Sequence, residues 1–445
     1  MDSDSKEGRR FYIETLGCQM NIYDSEFISD LLARSGYQSV KRPQDASVIL
    51  VNTCSVRERA EDRALARLRE LAALKRTNPE LVVGVVGCMA QRLGEGLVQG
   101  AAKIDLVVGF DAYSSLVGLV EEAHARRPLV VGVTDPPRSL HSSRPGRHDS
   151  IRAFVTIMQG CDNFCSYCIV PYVRGRERSK PHSAILEEIE HFVGLGAKDI
   201  TLIGQNVNSY RDHGLIFADL LEKANRVEGL ERIRFTTSHP KDLTLGLVEQ
   251  IRDLPKVCEH LHLPLQSGSD RILSLMTRGY SFSDFSKIVE FARHSIPRLA
   301  VTTDIMVGFP SETETDFEAT FCALERMRFD AAFMFRYSPR KGTAAYGLAD
   351  DVAAAEKTRR LKEIIALQNR ITDEKKQALL GSEVEVLVEG PSARDSGFML
   401  GRTRENWLAK LPREGVEKGE TLAAKISGVT RWMVICDPSL RKAGA

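Results

Sequence analysis

The chain has 445 residues, 43% of them hydrophobic and 27% charged, and a formal net charge of +1. At roughly 150 residues per domain that length predicts two to four domains, and the near-zero charge excludes a polycation that binds nucleic acid over its whole surface. No apolar run is long enough to span a bilayer and residues 1–10 lack the apolar core of a signal peptide, so a cytoplasmic protein with no membrane partner is expected, its nine cysteines serving as metal ligands or core thiols rather than disulfides.

The first stretch alternates strands and helices. Residues 11–16 read as a strand ending in Gly17-Cys18, and residues 24–35 as a helix with Phe27, Ile28, Leu31 and Leu32 on one side. A second strand, 47–51, leads to Asn52-Thr53-Cys54. A charged helix follows over 56–75, then a third strand, 81–86, leading to Gly87-Cys88. A fourth strand at 105–108 precedes a helix to about residue 126. This alternation predicts an α/β domain over residues 9–127 built on an open parallel sheet. Cys18, Cys54 and Cys88 each follow a strand. In a parallel sheet those ends share one edge, where such sheets carry their ligands. The three are therefore expected to converge and hold a 4Fe–4S cluster with one iron left open. Residues 128–150, rich in Pro, Ser, Arg and His, read as a linker, although 129–133 has the composition of a strand.

From residue 151 the alternation resumes. Strands are expected at 153–158, 200–203, 233–235, 260–265, 300–307 and 331–337, with helices over 183–195, 217–224, 245–254, 269–276, 283–294 and 314–327. Six such units over 151–376 predict a (βα)6 partial TIM barrel, with function at the carboxyl ends of its strands. The first of those ends carries Cys161, Cys165 and Cys168 at C-x3-C-x2-C spacing. Zinc usually takes four ligands and favours paired C-x2-C spacings. Three thiolates instead suit a 4Fe–4S cluster whose fourth iron is free to bind a substrate group. Other strand ends supply Gln205, Asn206, Ser238 and Gln266 as polar groups for a cofactor. Asp304 and Arg336 lie in apolar strands, where a charge is costly unless it meets a polar cavity or a partner, so both are expected to point into the barrel. His239, His260 and His262 read as packing or orienting residues, and Cys258, Cys322 and Cys436 as inert core thiols.

Arg174, Arg176 and Arg178, with Lys180, form a basic run suited to phosphate. A charged helix spans 351–380. Residues 377–440 then read as a small all-β module, a five-stranded barrel with strands at 382–389, 398–403, 407–411, 421–429 and 432–437. Its Arg402, Arg404 and Trp407, with Lys410 and Arg431, combine cations and an aromatic as RNA-binding β-surfaces do.

Several strings are long and specific. They are Thr15-Leu-Gly-Cys-Gln-Met-Asn21, Asn52-Thr-Cys-Ser-Val-Arg-Glu58, Gly87-Cys-Met-Ala-Gln-Arg92, residues 159–178, residues 204–210 and Phe335-Arg-Tyr-Ser-Pro-Arg340. On these the chain resembles the methylthiotransferases of the radical S-adenosylmethionine (SAM) superfamily over residues 11–437, and its last module is similar to a TRAM domain. The resemblance implies two 4Fe–4S clusters. One, on Cys161, Cys165 and Cys168, binds SAM near Gln205, Asn206, Ser238, Gln266, Asp304 and Arg336. The other, on Cys18, Cys54 and Cys88, holds sulfur. It implies transfer of a methylthio group to C2 of N6-isopentenyladenosine beside the anticodon of tRNA. It also implies a monomer served by an external one-electron reductant and the iron–sulfur assembly machinery. Other members act on threonylcarbamoyladenosine in tRNA or on an aspartate of a ribosomal protein; the wording around Cys54 and Cys161 favours the isopentenyl type. A non-catalytic iron–sulfur RNA-binding protein is the reading from another class.

Overall fold

The computed structural model describes residues 9–55, 58–99, 103–126, 129–133 and 151–438. Residues 134–150, most of the expected linker, lie outside the described residues. The chain divides into two compact units, one of Met1–His148, Met158–Phe164 and Cys168–Lys180, the other of Asp149–Ile157, Cys165–Tyr167 and Pro181–Ala445.

The first unit runs β1 (Arg10–Leu16), α1 (Gln19–Arg34), β2 (Gln38–Ser39), β3 (Val48–Thr53), α2 (Glu58–Ala72), β4 (Val82–Gly87), α3 (Cys88–Leu93), β5 (Leu106–Val108), α4 (Leu116–Arg126) and β6 (Val130–Gly132). The strands form one sheet in the order β2-β1-β3-β4-β5-β6, every pair parallel. Every residue of β3 and β4 is buried, because helices cover both faces of such a sheet. The order reverses between β1 and β3, which creates a crevice at their carboxyl ends. Within the stretch 129–133, Val130–Gly132 form a strand of this sheet, β6.

The chain then makes β7 (Arg152–Thr156), β8 (Met158–Gln159), α5 (Val170–Arg174) and β9 (Arg178–Ser179). The single strand expected at 153–158 is thus split at Ile157. Its last residue, Met158, leaves the barrel sheet and with Gln159 pairs antiparallel with β9 in the first unit. Ile169 and Val173 bury themselves in the first unit's core beside Phe110 and Cys88.

The second unit continues with α6 (His182–Gly194), β10 (Asp199–Ile203), β11 (Arg211–Asp212), β12 (Leu215–Ile216), α7 (Phe217–Asn225), β13 (Arg232–Phe235), α8 (Leu245–Asp253), β14 (His260–His262), α9 (Asp270–Leu275), α10 (Phe282–Ser295), β15 (Ala300–Val307), α11 (Glu314–Met327), β16 (Ala331–Arg336) and α12 (Ala354–Gln377). Parallel sheets β7-β10-β13 and β14-β15-β16, bridged at Ile233 and Val257, make the open (βα)6 arc. β14 stops three residues short of its expected end, since Pro264 has no N–H for the ladder; pairing returns only at Gln266 with Ile305.

β17 (Glu383–Pro391), β18 (Phe398–Thr403), β19 (Leu408–Pro412), β20 (Thr421–Val429) and β21 (Val434–Pro438) close into a barrel in the order β17-β18-β19-β21-β20. Register shifts at Val388/Gly390 and Ile426/Gly428 supply the bends that closure needs. The barrel sits against the amino ends of the arc's strands. Arg232 Nη1 donates to Arg402 O at 2.6 Å, and Arg234 donates to the carbonyls of Thr403 and Arg404 at 2.8 and 2.9 Å.

Candidate metal centres and cofactor site

In the first unit, Leu16, Thr53 and Gly87 stand side by side in register. Cys54 and Cys88 are the next residues on their strands, and Cys18 is two beyond Leu16. The structure brings the three together. The Cys54 thiol hydrogen-bonds Cys18 and, as the largest influence, holds it down to about 6; burial pushes the Cys88 thiol up, opposed by the charge of Arg174. Two asparagines clamp the strand ends. Asn21 Oδ1 accepts from Cys18 N at 3.2 Å while its Nδ2 donates to Asn52 Oδ1 at 2.8 Å, and Asn52 Nδ2 returns a bond to Asn21 O at 2.8 Å. Both are fully buried. Gly87 has φ +92°, and a Cβ there would lie 2.4 Å from Asn52 Oδ1 and 2.7 Å from Thr53 O. Asn21 and Asn52 were not singled out from the sequence; the signal was an amide side chain three residues beyond one strand-end cysteine and two before another.

Arg174, read as a phosphate contact, is 3% exposed. α5 carries it into the first unit, where Nε donates to Cys88 Sγ at 3.3 Å, Nη2 to Asp24 Oδ2 at 3.2 Å, and the guanidinium lies 4.8 Å from the centre of the Phe110 ring. No face remains for RNA. Lys180 is buried as well. Arg176 does reach solvent, stacked over Phe164 and paired with Asp162 at 3.2 Å, and Arg178 is half-buried.

The cysteine loop is shaped locally. Gly160 has φ +80°, and a Cβ there would lie 2.0 Å from Arg176 O. Asn163 Nδ2 donates to Cys161 Sγ at 3.3 Å. Cys161 and Cys168 belong to the first unit and Cys165 to the second. There Cys165 Sγ accepts from Nη1 of buried Arg278 at 3.3 Å. Among the described residues no three His, Cys, Asp or Glu side chains are gathered to hold a metal ion. A 4Fe–4S cube spaces its thiolates more widely than one ion does, because its own irons and sulfides lie between them.

At the carboxyl ends of the arc, Asn206, Ser238 and Gln266 are buried and Gln205 is half-buried. Asn206 Nδ2 donates to Asp242 at 2.7 Å, but Asn206 Oδ1 and Ser238 Oγ are buried without a partner among the described residues. His239 Nδ1 accepts from Lys241 N, so its Nε2 carries the proton, buried and equally unpartnered. Burial, helped by Arg278 and Lys241, pushes this imidazole down to about 2 and keeps it neutral. Such orphaned polar atoms fit a polar cofactor. Asp304 faces the barrel interior with His262, 3.7 Å away. Arg336 does not. Its ladder partner is Val307, on the opposite face of β15 from Asp304, and its Nη1 donates to Thr358 Oγ1 on α12 at 2.9 Å. An odd spacing along a strand reverses the side.

The other expected RNA contacts are corrected too. Arg402 bonds Glu389 and Asn406. Arg404 grips Glu259 with two bonds of 2.8 and 2.9 Å and caps the carbonyls of Pro255 and Val257. Arg404 thus fastens the small barrel to the arc, while Arg402 braces the barrel internally. Trp407 packs on the barrel core. Among the described residues of the small barrel the open aromatic is Trp432, 72% exposed, with Arg431 stacked 4.9 Å from its ring. Cys258 and Cys436 are buried as expected, whereas Cys322 is exposed.

Two family models match, Uncharacterized protein family UPF0004 over residues 10–109 and Radical SAM superfamily over residues 155–322. A tRNA-2-methylthio-N(6)-dimethylallyladenosine synthase of Moorella thermoacetica is 47% identical over 436 residues, covering 96% of this chain and 98% of that protein. One of Thermoanaerobacter pseudethanolicus is 44% identical over 438 residues, covering 97% and 93%. In fold the chain is similar to a cobalamin-bound radical SAM methyltransferase, TsrM of Kitasatospora setae, at TM-score 0.56 and 13% identity, with 74% of this chain and 75% of that one covered. The near-full-length identity to the curated relatives makes this chain a member of the tRNA-2-methylthio-N(6)-dimethylallyladenosine synthase family.

Proposed function

We infer that this chain is a radical SAM methylthiotransferase that adds a methylthio group to C2 of N6-isopentenyladenosine next to the anticodon of tRNA. As a radical SAM enzyme it takes a 4Fe–4S cluster and SAM. An aromatic C2–H is too strong for any side-chain base to activate, so the chemistry must come from a cofactor. Cys161, Cys165 and Cys168 would hold that cluster, and Cys18, Cys54 and Cys88 a second; bound with SAM and sulfur, they would supply one-electron cleavage of SAM and the sulfur to be transferred.

The chain's own residues bind and orient. Asn206, Ser238 and Gln266, with Gln205 beside them, would take SAM's polar groups, and neutral His239 would donate from Nε2. Asp304 and His262 line the barrel interior behind them. Arg176, Arg178 and the Arg431–Trp432 pair are the surface groups for tRNA. We place the enzyme in the cytoplasm as a monomer dependent on a one-electron reductant and on iron–sulfur assembly proteins; no helix among the described residues is long and apolar enough to cross a membrane.

The observation that carries this reading is the gathering of Cys18, Cys54 and Cys88 at one sheet edge. Cys18→Ala should abolish thiolation of isopentenyladenosine in tRNA, read by mass spectrometry, while 5′-deoxyadenosine still forms on reduction with SAM. Loss of 5′-deoxyadenosine as well would refute the division of labour between the two cysteine sets.

A further inference from the structure

Among the described residues a buried guanidinium lies against one sulfur of each cysteine trio, and these two guanidiniums differ in counter-charge. Arg278 donates to Cys165 Sγ at 3.3 Å; its other partners are Pro264 O at 2.8 Å and the phenol oxygens of Tyr280 and Tyr167 at 2.9 and 3.4 Å. It is 4% exposed, and among the described residues no carboxylate pairs with it. A guanidinium enclosed without an anion is strongly unfavourable, so its counter-charge must come from the thiolate and whatever the thiolate holds. Arg174 donates to Cys88 Sγ at the same 3.3 Å, but Asp24 Oδ2 lies 3.2 Å from its Nη2 and both side chains are buried. There the positive charge is already balanced.

We propose that these two arginines set the reduction potentials of the two clusters unequally: unbalanced Arg278 raises the potential of the cluster on Cys161, Cys165 and Cys168, while Asp24 cancels Arg174 at the cluster on Cys18, Cys54 and Cys88. The proposal rests on the two-cluster reading above. Reduction adds one electron from an external one-electron donor and changes no bond in the protein. A nearby cation in a low-dielectric interior stabilises that extra negative charge. The electron therefore settles where SAM is to be cleaved, and the other cluster keeps its oxidised state.

The test is a dithionite titration of the reconstituted full-length chain followed by electron paramagnetic resonance, each cluster read in a background where the other trio is Ala. Arg278→Gln should move the first cluster's potential negative by at least 59 mV, a tenfold change in a one-electron equilibrium, and Arg278→Lys should restore most of it. Asp24→Asn should move the second cluster's potential positive. An unmoved potential in Arg278→Gln, an equal shift in Arg278→Lys, or no shift in Asp24→Asn overturns the proposal. Should Arg278→Gln not retain its cluster, the unaltered arginines decide: the first cluster's potential must lie above the second's, and equal or reversed potentials overturn the proposal. Iron and sulfide for only one cluster in the wild type would be a failure of the two-cluster reading, and the Arg278 arm would still stand or fall on its own potentials.

Discussion

Arg174 Nε donates to Cys88 Sγ at 3.3 Å across 86 residues of sequence. The contact turns a residue that looks like a phosphate clamp into a buried counter-charge. Truncating it would take the buried guanidinium from Asp24 and leave a cavity beside Phe110, a loss of about 3–5 kcal/mol. Arg174→Ala should therefore lower the melting temperature while the folded fraction keeps its tRNA affinity. Arg176→Ala should instead leave stability unchanged, weaken tRNA binding and reduce its salt dependence by about one phosphate contact. Calorimetry and binding titrations at several salt concentrations check both.

The cysteine loops depend on two glycines with positive φ. Gly160→Ala would drive a methyl group into Arg176 O, and Gly87→Ala would drive one into Asn52 and Thr53. Iron and sulfide analysis should find the cluster of the altered loop lost and the other retained in each variant. Equal loss of both in Gly160→Ala would argue for general unfolding.

The joint between the small barrel and the arc should be structural, not RNA-binding. Arg404→Ala abandons Glu259 and two carbonyls, at a cost of about 1–3 kcal/mol, and should shift unfolding without changing tRNA affinity. Trp432→Ala should do the reverse, losing about 1–3 kcal/mol of base stacking. Filter binding beside thermal melts separates the two outcomes.

Asp316 caps α11 through Thr313 and receives Ser269 Oγ at 2.6 Å and the Arg271 guanidinium. Burial alone would raise its carboxyl, but the bonds from Arg271, Ser269 and Thr313 outweigh burial and hold it well below the usual carboxylate range. A depressed carboxyl stabilises the fold above its unfolded value, about 3.9, and that contribution fades as pH falls toward the folded value. Denaturant melts should show wild type more stable than Asp316→Asn at neutral pH, with the gap narrowing below about pH 4.

Periodicity and strand-end punctuation determined the fold class. Alternation gave a parallel sheet, an arc and a closed barrel, because a strand buried on both faces must read as an apolar run. The same logic predicted that Cys18, Cys54 and Cys88 would meet, since parallel strands align their ends. What lay beyond the sequence was which charges those ends would bury. Arg336 and Asp304 looked alike on paper, and only the register between β15 and β16 put them on opposite faces. Arg174, Arg402 and Arg404 read as surface cations because a charge pattern carries no record of the acid or carbonyl it will meet. Those partners lie between 4 and 150 residues away, and tertiary folding alone decided that desolvating the guanidiniums against them was favourable.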